Sequence, residues 1–183
     1  VPGTAKAPET TETKRLSLRP PLLEDAELIF NSYAQDPDVL KYLLWRPHTS
    51  VTDTRSFLQF CQNCWDQGTA FPYIITQKES GQLLGMVEVR VEKDSANLGY
   101  VLAKEHWGQG FMVEALQPII AWAIAQDGIS KVWATCDVEN LASARVLEKS
   151  GMKREEILPK HSLHPNISPE PRDAFRYSMD RNG

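Results

Sequence analysis

Between Leu98 and Leu116 the sequence LGYVLAKEHWGQGFMVEAL passes from an alternating apolar segment, through two glycines, into a segment of helical period. It therefore reads as strand, glycine turn and helix, and it restricts the chain to folds in which a strand end delivers a helix N-terminus. Gly108 and Gly110 let the N–H groups from about Trp107 to Phe111 converge with no side chains between them. The helix that follows opens with unpaired donors and the positive end of its dipole. A phosphate fits such a turn. No Gly-Lys-Ser/Thr follows, which excludes a P-loop, and two glycines are one short of a dinucleotide fingerprint. A diphosphate on another carrier is compatible with the spacing.

The rest of the chain supplies a setting for that turn. Residues 1–14, VPGTAKAPETTETK, are nearly free of large apolar side chains and are expected to form a flexible tail. Residues 15–183 are expected to form a single domain. Strands are predicted at 15–19, 71–76, 83–91, 97–102, 131–136, 152–158 and 174–179, from alternation bounded by turn residues. Helices are predicted at 24–34, 50–68, 110–126 and 140–150, from apolar spacing of three and four. Asp36-Pro37 is expected to close the first helix, with a short apolar piece at 40–45 after it. Ser50 and Asp53 suggest a cap for the second helix and Gly68 its end. Pro118 should kink or break the third helix. The resulting order is β-α-α-β-β-β-α-β-α-β-β, with a proline-rich connection over 161–172.

Tyr100, Trp107-Gly108-Gln109-Gly110-Phe111 and Glu114-Ala115-Leu116 resemble the acetyl-coenzyme A motif of the GNAT N-acetyltransferases, in particular the ribosomal-protein (RimJ/RimL-like) branch. The family loop is Arg/Gln-x-x-Gly-x-Gly/Ala. Here Glu105 stands at its first position, removing a phosphate-facing side chain and adding a negative charge. The resemblance implies an α/β (α+β) protein of GNAT-like fold, with a mixed seven-stranded sheet and about four helices. It implies acetyl-coenzyme A as cosubstrate, bound through Trp107, Gly108, Gln109, Gly110 and Phe111. It further implies a bulge near Val101 and Leu102 that splays this strand from a parallel neighbour and offers a backbone N–H to the thioester carbonyl.

A second constellation is NLASARVLEKSG, residues 140–151. Asn140 can cap the helix, and the resemblance implies that its amide also holds the pantetheine arm; the two roles are compatible. The family's proton-donating Tyr falls at Leu147, which has no proton to give. Ser143 occupies the position where the Rim-like branch carries Ser, and its hydroxyl either donates to the leaving sulfur or bonds local backbone. Glu88, flanked by valines, is the candidate general base, with a solvent-facing carboxylate beside Arg90 as the other reading. His161 and His164 are further candidates on the substrate side.

Cys61-x-x-Cys64 and His161-x-x-His164 together contain a zinc ligand set. Their separation exceeds that of local zinc modules, and no metal is expected. Three sparse cysteines and the lack of a membrane-length apolar run point to a cytoplasmic protein. The net charge of -4 argues against nucleic acid as partner. The expected partner is an amine acceptor, a protein N-terminus or a small molecule, and the state monomer or homodimer. No cysteine falls in either motif, which favours direct attack in a ternary complex over a ping-pong route. The alternatives are a small-amine or antibiotic acetyltransferase and a non-catalytic coenzyme A-binding module.

Overall fold

The computed structural model describes residues 6–182, which form eight strands and five α-helices. β1 (Thr11–Glu12), β2 (Leu16–Arg19), β3 (Ala70–Gln77), β4 (Leu83–Val91) and β5 (Ser95–Leu102) pair as successive antiparallel neighbours. β6 (Lys131–Asp137) joins β5 in parallel, and β8 (Arg172–Asp180) lies between β6 and the edge strand β7 (Lys153–Ser162). The crossover from β5 to β6 runs through α4 (Phe111–Ala125), since a parallel pair needs a long connection.

α1 (Ala26–Ser32), α2 (Pro37–Leu40) and α3 (Val51–Gln67) cover one face of the sheet, and α4 and α5 (Leu141–Lys149) the other. Alternation in β4 divides its side chains between two cores. Met86 packs with Ile29, Leu40 and Leu58, while Val87 packs with Leu98, Leu116 and Leu147. α3 starts and stops where its ends are encoded. Ser50 and Asp53 form a reciprocal capping box, and Gly68 closes the helix in the left-handed region at φ 64°.

Several expectations are corrected. Residues 1–5 of the expected flexible tail lie outside the described residues. Residues 6–14 lie against the domain: Ala7 is buried, the Tyr73 hydroxyl donates to the Pro8 carbonyl at 2.7 Å, and β1 adds an eighth strand. Small side chains and main-chain groups anchor this segment, and hydrophobicity does not register them. Asp36-Pro37 begins a helix as well as ending one. The Asp36 carboxylate accepts from the Asp38 N–H at 2.9 Å and Pro37 takes the first turn of α2, so there are five helices. α4 runs unbroken through Pro118. β7 extends to Ser162, taking in His161 from the expected connection, and forms the sheet edge.

The start of α4 is fastened to the edge of the sheet. The Glu114 carboxylate accepts from the Thr13 hydroxyl at 2.7 Å, the Arg15 N–H at 2.8 Å and Arg15 Nε at 2.6 Å. Burial opposes its charge, but these three donors outweigh burial and hold its carboxyl below the ordinary value. A depressed carboxyl contributes stability that is complete above its unfolded value, near 4.5, and is lost as pH falls through the lower folded value. Glu114→Gln is therefore expected to cost about 1–2 kcal/mol at pH 7. In thermal melts the gap between variant and wild type should narrow as pH falls below 4.5 and close once it passes the lower folded value; a gap independent of pH would contradict this account.

Candidate active site

β5 and β6 pair over only three positions, Ser95 with Lys131, Ala96 with Val132 and Asn97 with Trp133. Beyond the fork, where Asn97 Nδ2 reaches the Trp133 carbonyl at 3.5 Å, the strands part. The expected bulge at Val101–Leu102 does not cause this. β4 and β5 stay in register from Gly85–Leu102 to Val91–Ala96, and the one shift nearby lies between β3 and β4, beside Leu84. Gly85 holds β4 and β5 close, since a Cβ there would sit 2.1 Å from the Val101 carbonyl oxygen. The Ala103 N–H donates back to the Leu84 carbonyl. By alternation along the ladder, the backbone of Val101 faces β4, and the N–H groups of Leu98, Tyr100 and Leu102 turn toward the gap.

A cleft of about 1000 Å³ passes through this gap from one face of the sheet to the other. At one end lies the glycine turn. Gly108 and Gly110 are left-handed, at φ 72° and 78°, and Gly110 caps α4 without a side chain. The N–H groups of Phe111, Met112 and Val113 thus open into the cleft without helical acceptors. Trp107 lines the same end and donates its indole N–H to the Leu102 carbonyl at 2.8 Å. Gln109 does not line the cleft: its side chain turns back to the Glu105 carbonyl at 3.0 Å, and its own carbonyl accepts from Arg15. The Glu105 carboxylate accepts from Gln82 at 3.1 Å, on the side of the β3–β4 turn, and is also outside the cleft lining. Arg15 thus braces the turn and neutralises Glu114 beneath the anion site. Sequence reasoning missed it, since 94 residues separate Arg15 from Gln109.

Asn140 and Ser143 enter from the α5 side. Asn140 Oδ1 accepts from the Ser143 N–H at 3.2 Å, which caps the helix and leaves the amide NH2 available. Ser143 Oγ lies 2.6 Å from the Tyr100 hydroxyl. Burial raises the Tyr100 phenol above its ordinary value, so it stays protonated. A phenol donating to Oγ leaves the serine proton free for a third partner. Cys136 also lines the cleft, a correction to the expectation drawn from the two motifs. Burial pushes its thiol up to about 11, with Ser143 partly countering. At pH 7 it is then a thiol, a poor acyl carrier. Leu147 is fully buried in the core.

Glu88 lines the opposite arm, on the α1–α3 face, with its side chain 17% exposed. Arg90 Nε lies 2.5 Å from Glu88 Oε1, but its N–H is not aligned on that oxygen, which therefore has no hydrogen-bond donor. Across the ladder from Glu88 stands Gly99, where a Cβ would meet nothing within 4 Å. The missing side chain keeps the passage open between the carboxylate and the gap. His164 is buried with both ring nitrogens unpartnered, 3.7 Å from Asp137, whose carboxylate is bound by Arg172 at 2.6 Å. His161 is exposed on β7. Among the described residues no group of three or more His, Cys, Asp or Glu side chains is placed to hold a metal. Among the described residues no helix is long and apolar enough to cross a membrane.

Comparison with known proteins agrees with this geometry. The profile of the acetyltransferase (GNAT) domain family matches residues 15–153. An uncharacterized N-acetyltransferase, p20, of Bacillus licheniformis is 32% identical over 153 residues, covering 82% of this chain and 85% of that protein. A GNAT-family acetyltransferase of Bacillus anthracis superposes with a TM-score of 0.81 at 25% identity, over 95% of this chain and 99% of that one. A ribosomal L7/L12 α-N-protein acetyltransferase in complex with coenzyme A superposes with a TM-score of 0.83 at 21% identity, over 94% and 98%.

The open space at Gly99 gives a direct test of the passage. Gly99→Val suits a strand and its Cβ meets no neighbour, so unfolding free energy should stay within about 0.5 kcal/mol. Turnover should fall about tenfold or more as the passage narrows. Unchanged turnover would place the reacting groups elsewhere.

Proposed function

The chain belongs to the GNAT acetyltransferase family and is an acetyl-coenzyme A-dependent N-acetyltransferase; we propose that its acceptor is the α-amine of a protein or peptide, acetylated by direct attack in a ternary complex. The observation that carries this reading is the cleft through the sheet. It joins an anion-ready helix N-terminus, the Ser143 hydroxyl and the Glu88 carboxylate in one space. The diphosphate would lie on the glycine turn and the first N–H groups of α4, and the pantetheine arm along β5 beside Asn140. The thioester would then reach the gap, where backbone N–H groups of β5 can polarise its carbonyl.

An α-amine has an ordinary pKa of about 8, so roughly a tenth is already neutral at pH 7. Glu88 takes a proton from the incoming ammonium, directly or through water. The free amine attacks the carbonyl carbon, the C–S bond breaks, and Ser143 donates its proton to the departing sulfur while Tyr100 holds Oγ in place; the second amine proton passes back to Ser143 Oγ, directly or through water, as the amide forms. Several features support a chain terminus as acceptor. The mouth on the α1–α3 side is open past the exposed Leu44, and a hollow of about 270 Å³ lined by Arg46, Asn166 and Pro169 is tied to it where Asn166 Nδ2 donates to the Trp45 carbonyl. An emerging peptide could lie there. The ribosomal-protein acetyltransferase that shares the fold names an acceptor of the same kind. The fit to a Rim-like role in the cytoplasm is part of this proposal.

Thermal unfolding with and without acetyl-coenzyme A tests the coenzyme half. At 100 times its dissociation constant the ligand should add about 2.7 kcal/mol, and Gly108→Asp, which sets a carboxylate at the turn, should abolish the gain. Ser143→Ala and Glu88→Gln should each keep that stabilisation and lose about a hundredfold in kcat. A Ser143→Ala enzyme with full kcat would refute the donor assignment, and absent stabilisation of the wild type would refute the site itself.

A further inference from the structure

The acceptor arm has a composition that the chemistry of acetyl transfer does not require. Trp45, His48 and Phe57 form a continuous aromatic wall. The Trp45 and His48 rings are 4.8 Å apart between centroids, and Trp45 and Phe57 are stacked at 6.3 Å with 26° between their planes. The His48 ring is fixed by a 2.7 Å hydrogen bond between Nδ1 and the fully buried Thr54 hydroxyl. Burial lowers its pKa, so at neutral pH it presents an uncharged ring. Ile29 and Met86 carry the apolar lining deeper.

The charges of the cleft point the same way. Among the described residues, three carboxylates line it, and each already faces a cation of the protein. Asp38 is 2.5 Å from Lys104, Glu88 is 2.5 Å from Arg90, and Asp137 is 2.6 Å from Arg172. Five Lys and Arg side chains line the same space, which suits a phosphorylated coenzyme. A polyamine or an aminoglycoside would bring several ammonium groups into a cleft where Glu88 can meet one, the other two carboxylates being bound by Lys104 and Arg172. A polar first side chain would lose its hydration against the aromatic wall with few partners in return.

We infer that the acceptor arm selects a mono-cationic amine carried on a large apolar or aromatic group, in a peptide a first residue such as Phe, Met or Leu. This rests on the acceptor arm of the function proposed above. The ammonium meets Glu88 beside Gly99, and the adjoining side chain lies along Trp45, His48 and Phe57. The wall thus acts on acceptor choice and not on the coenzyme.

The test is a panel of peptides identical except for a first residue of Phe, Met, Leu, Ala, Ser, Asp or Lys, together with phenylethylamine and spermidine. Each is assayed for acetylation by the full chain. The Phe, Met and Leu peptides should exceed the Ser peptide at least about tenfold in kcat/KM, with spermidine the poorest acceptor. Trp45→Ala and, independently, Phe57→Ala should bring that ratio toward one, mainly through KM, while stabilisation by acetyl-coenzyme A stays at the wild-type value. Trp45→Phe should restore most of the ratio. Acetylation of phenylethylamine but of no peptide would overturn the α-amine reading and leave the apolar, mono-cationic class standing. A preference for Ser, Ala or Lys peptides, or for spermidine, would overturn the inference and leave acetyl transfer intact. Turnover of nothing in the panel by a protein that binds acetyl-coenzyme A would overturn both.

Discussion

The parallel pairing of β5 with β6 ends after three residue pairs, and the rest of the site depends on that short contact. A sheet fully zipped at this seam would satisfy more backbone hydrogen bonds, but it would leave no way through. Stopping at Asn97 and Trp133 keeps the sheet continuous at one end, through which β6, β8 and β7 remain attached. At the other end it frees a row of β5 main-chain groups. The cost is borne by the two cores, which meet the gap from opposite faces and hold the strands at their divergence. Gly85 and Gly99 serve this geometry in different ways. The first permits β4 to lie against the β5 main chain, and the second leaves a hole where a side chain would stand.

A carboxylate in the first turn suits the helix dipole but would repel an anion held at the same N-terminus, and Glu114 lies in the first turn of α4. The structure resolves the conflict with Arg15, whose guanidinium neutralises Glu114, stacks over the Phe111 ring at 4.3 Å and bonds the Gln109 carbonyl. The acid thereby ties the loop to the sheet edge without repelling a ligand. Glu105 presents the same problem at the start of the loop and is answered by direction, since its carboxylate is engaged by Gln82 outside the cleft.

Most of the order of elements was legible because period and punctuation are local properties. The switch from period two to 3.6 marks the strand–turn–helix unit at Leu98–Leu116, and Ser50, Asp53 and Gly68 mark both ends of α3. The losses are equally physical. β1 and the packing of Ala7 rest on main-chain bonds and a small side chain that carry little hydrophobic signal. α2 was read as a stop because Asp-Pro closes one helix in the same step as it caps the next. In the site, the glycine turn and Asn140 were visible as motifs. Arg15 and the Tyr100–Ser143 contact join residues far apart in the chain, and the aromatic wall brings a loop residue, Trp45, against α3 with no periodic spacing to mark it.

The Tyr100–Ser143 contact bears on how a site lacking the family tyrosine can protonate a thiolate. Leu147 is buried away from the cleft, so a tyrosine there would have to displace core packing to reach the sulfur. Tyr100 approaches the same space from the opposite wall, on β5, and meets Ser143 at 2.6 Å. Its phenol, raised by burial, is too weak an acid to serve the sulfur alone; either hydroxyl can donate across the contact, and with the phenol as donor the serine proton is free for the sulfur. The same burial keeps Cys136 a thiol. Low polarity beside α5 therefore acts twice, keeping both the tyrosine and the cysteine protonated, as the direct transfer proposed above requires.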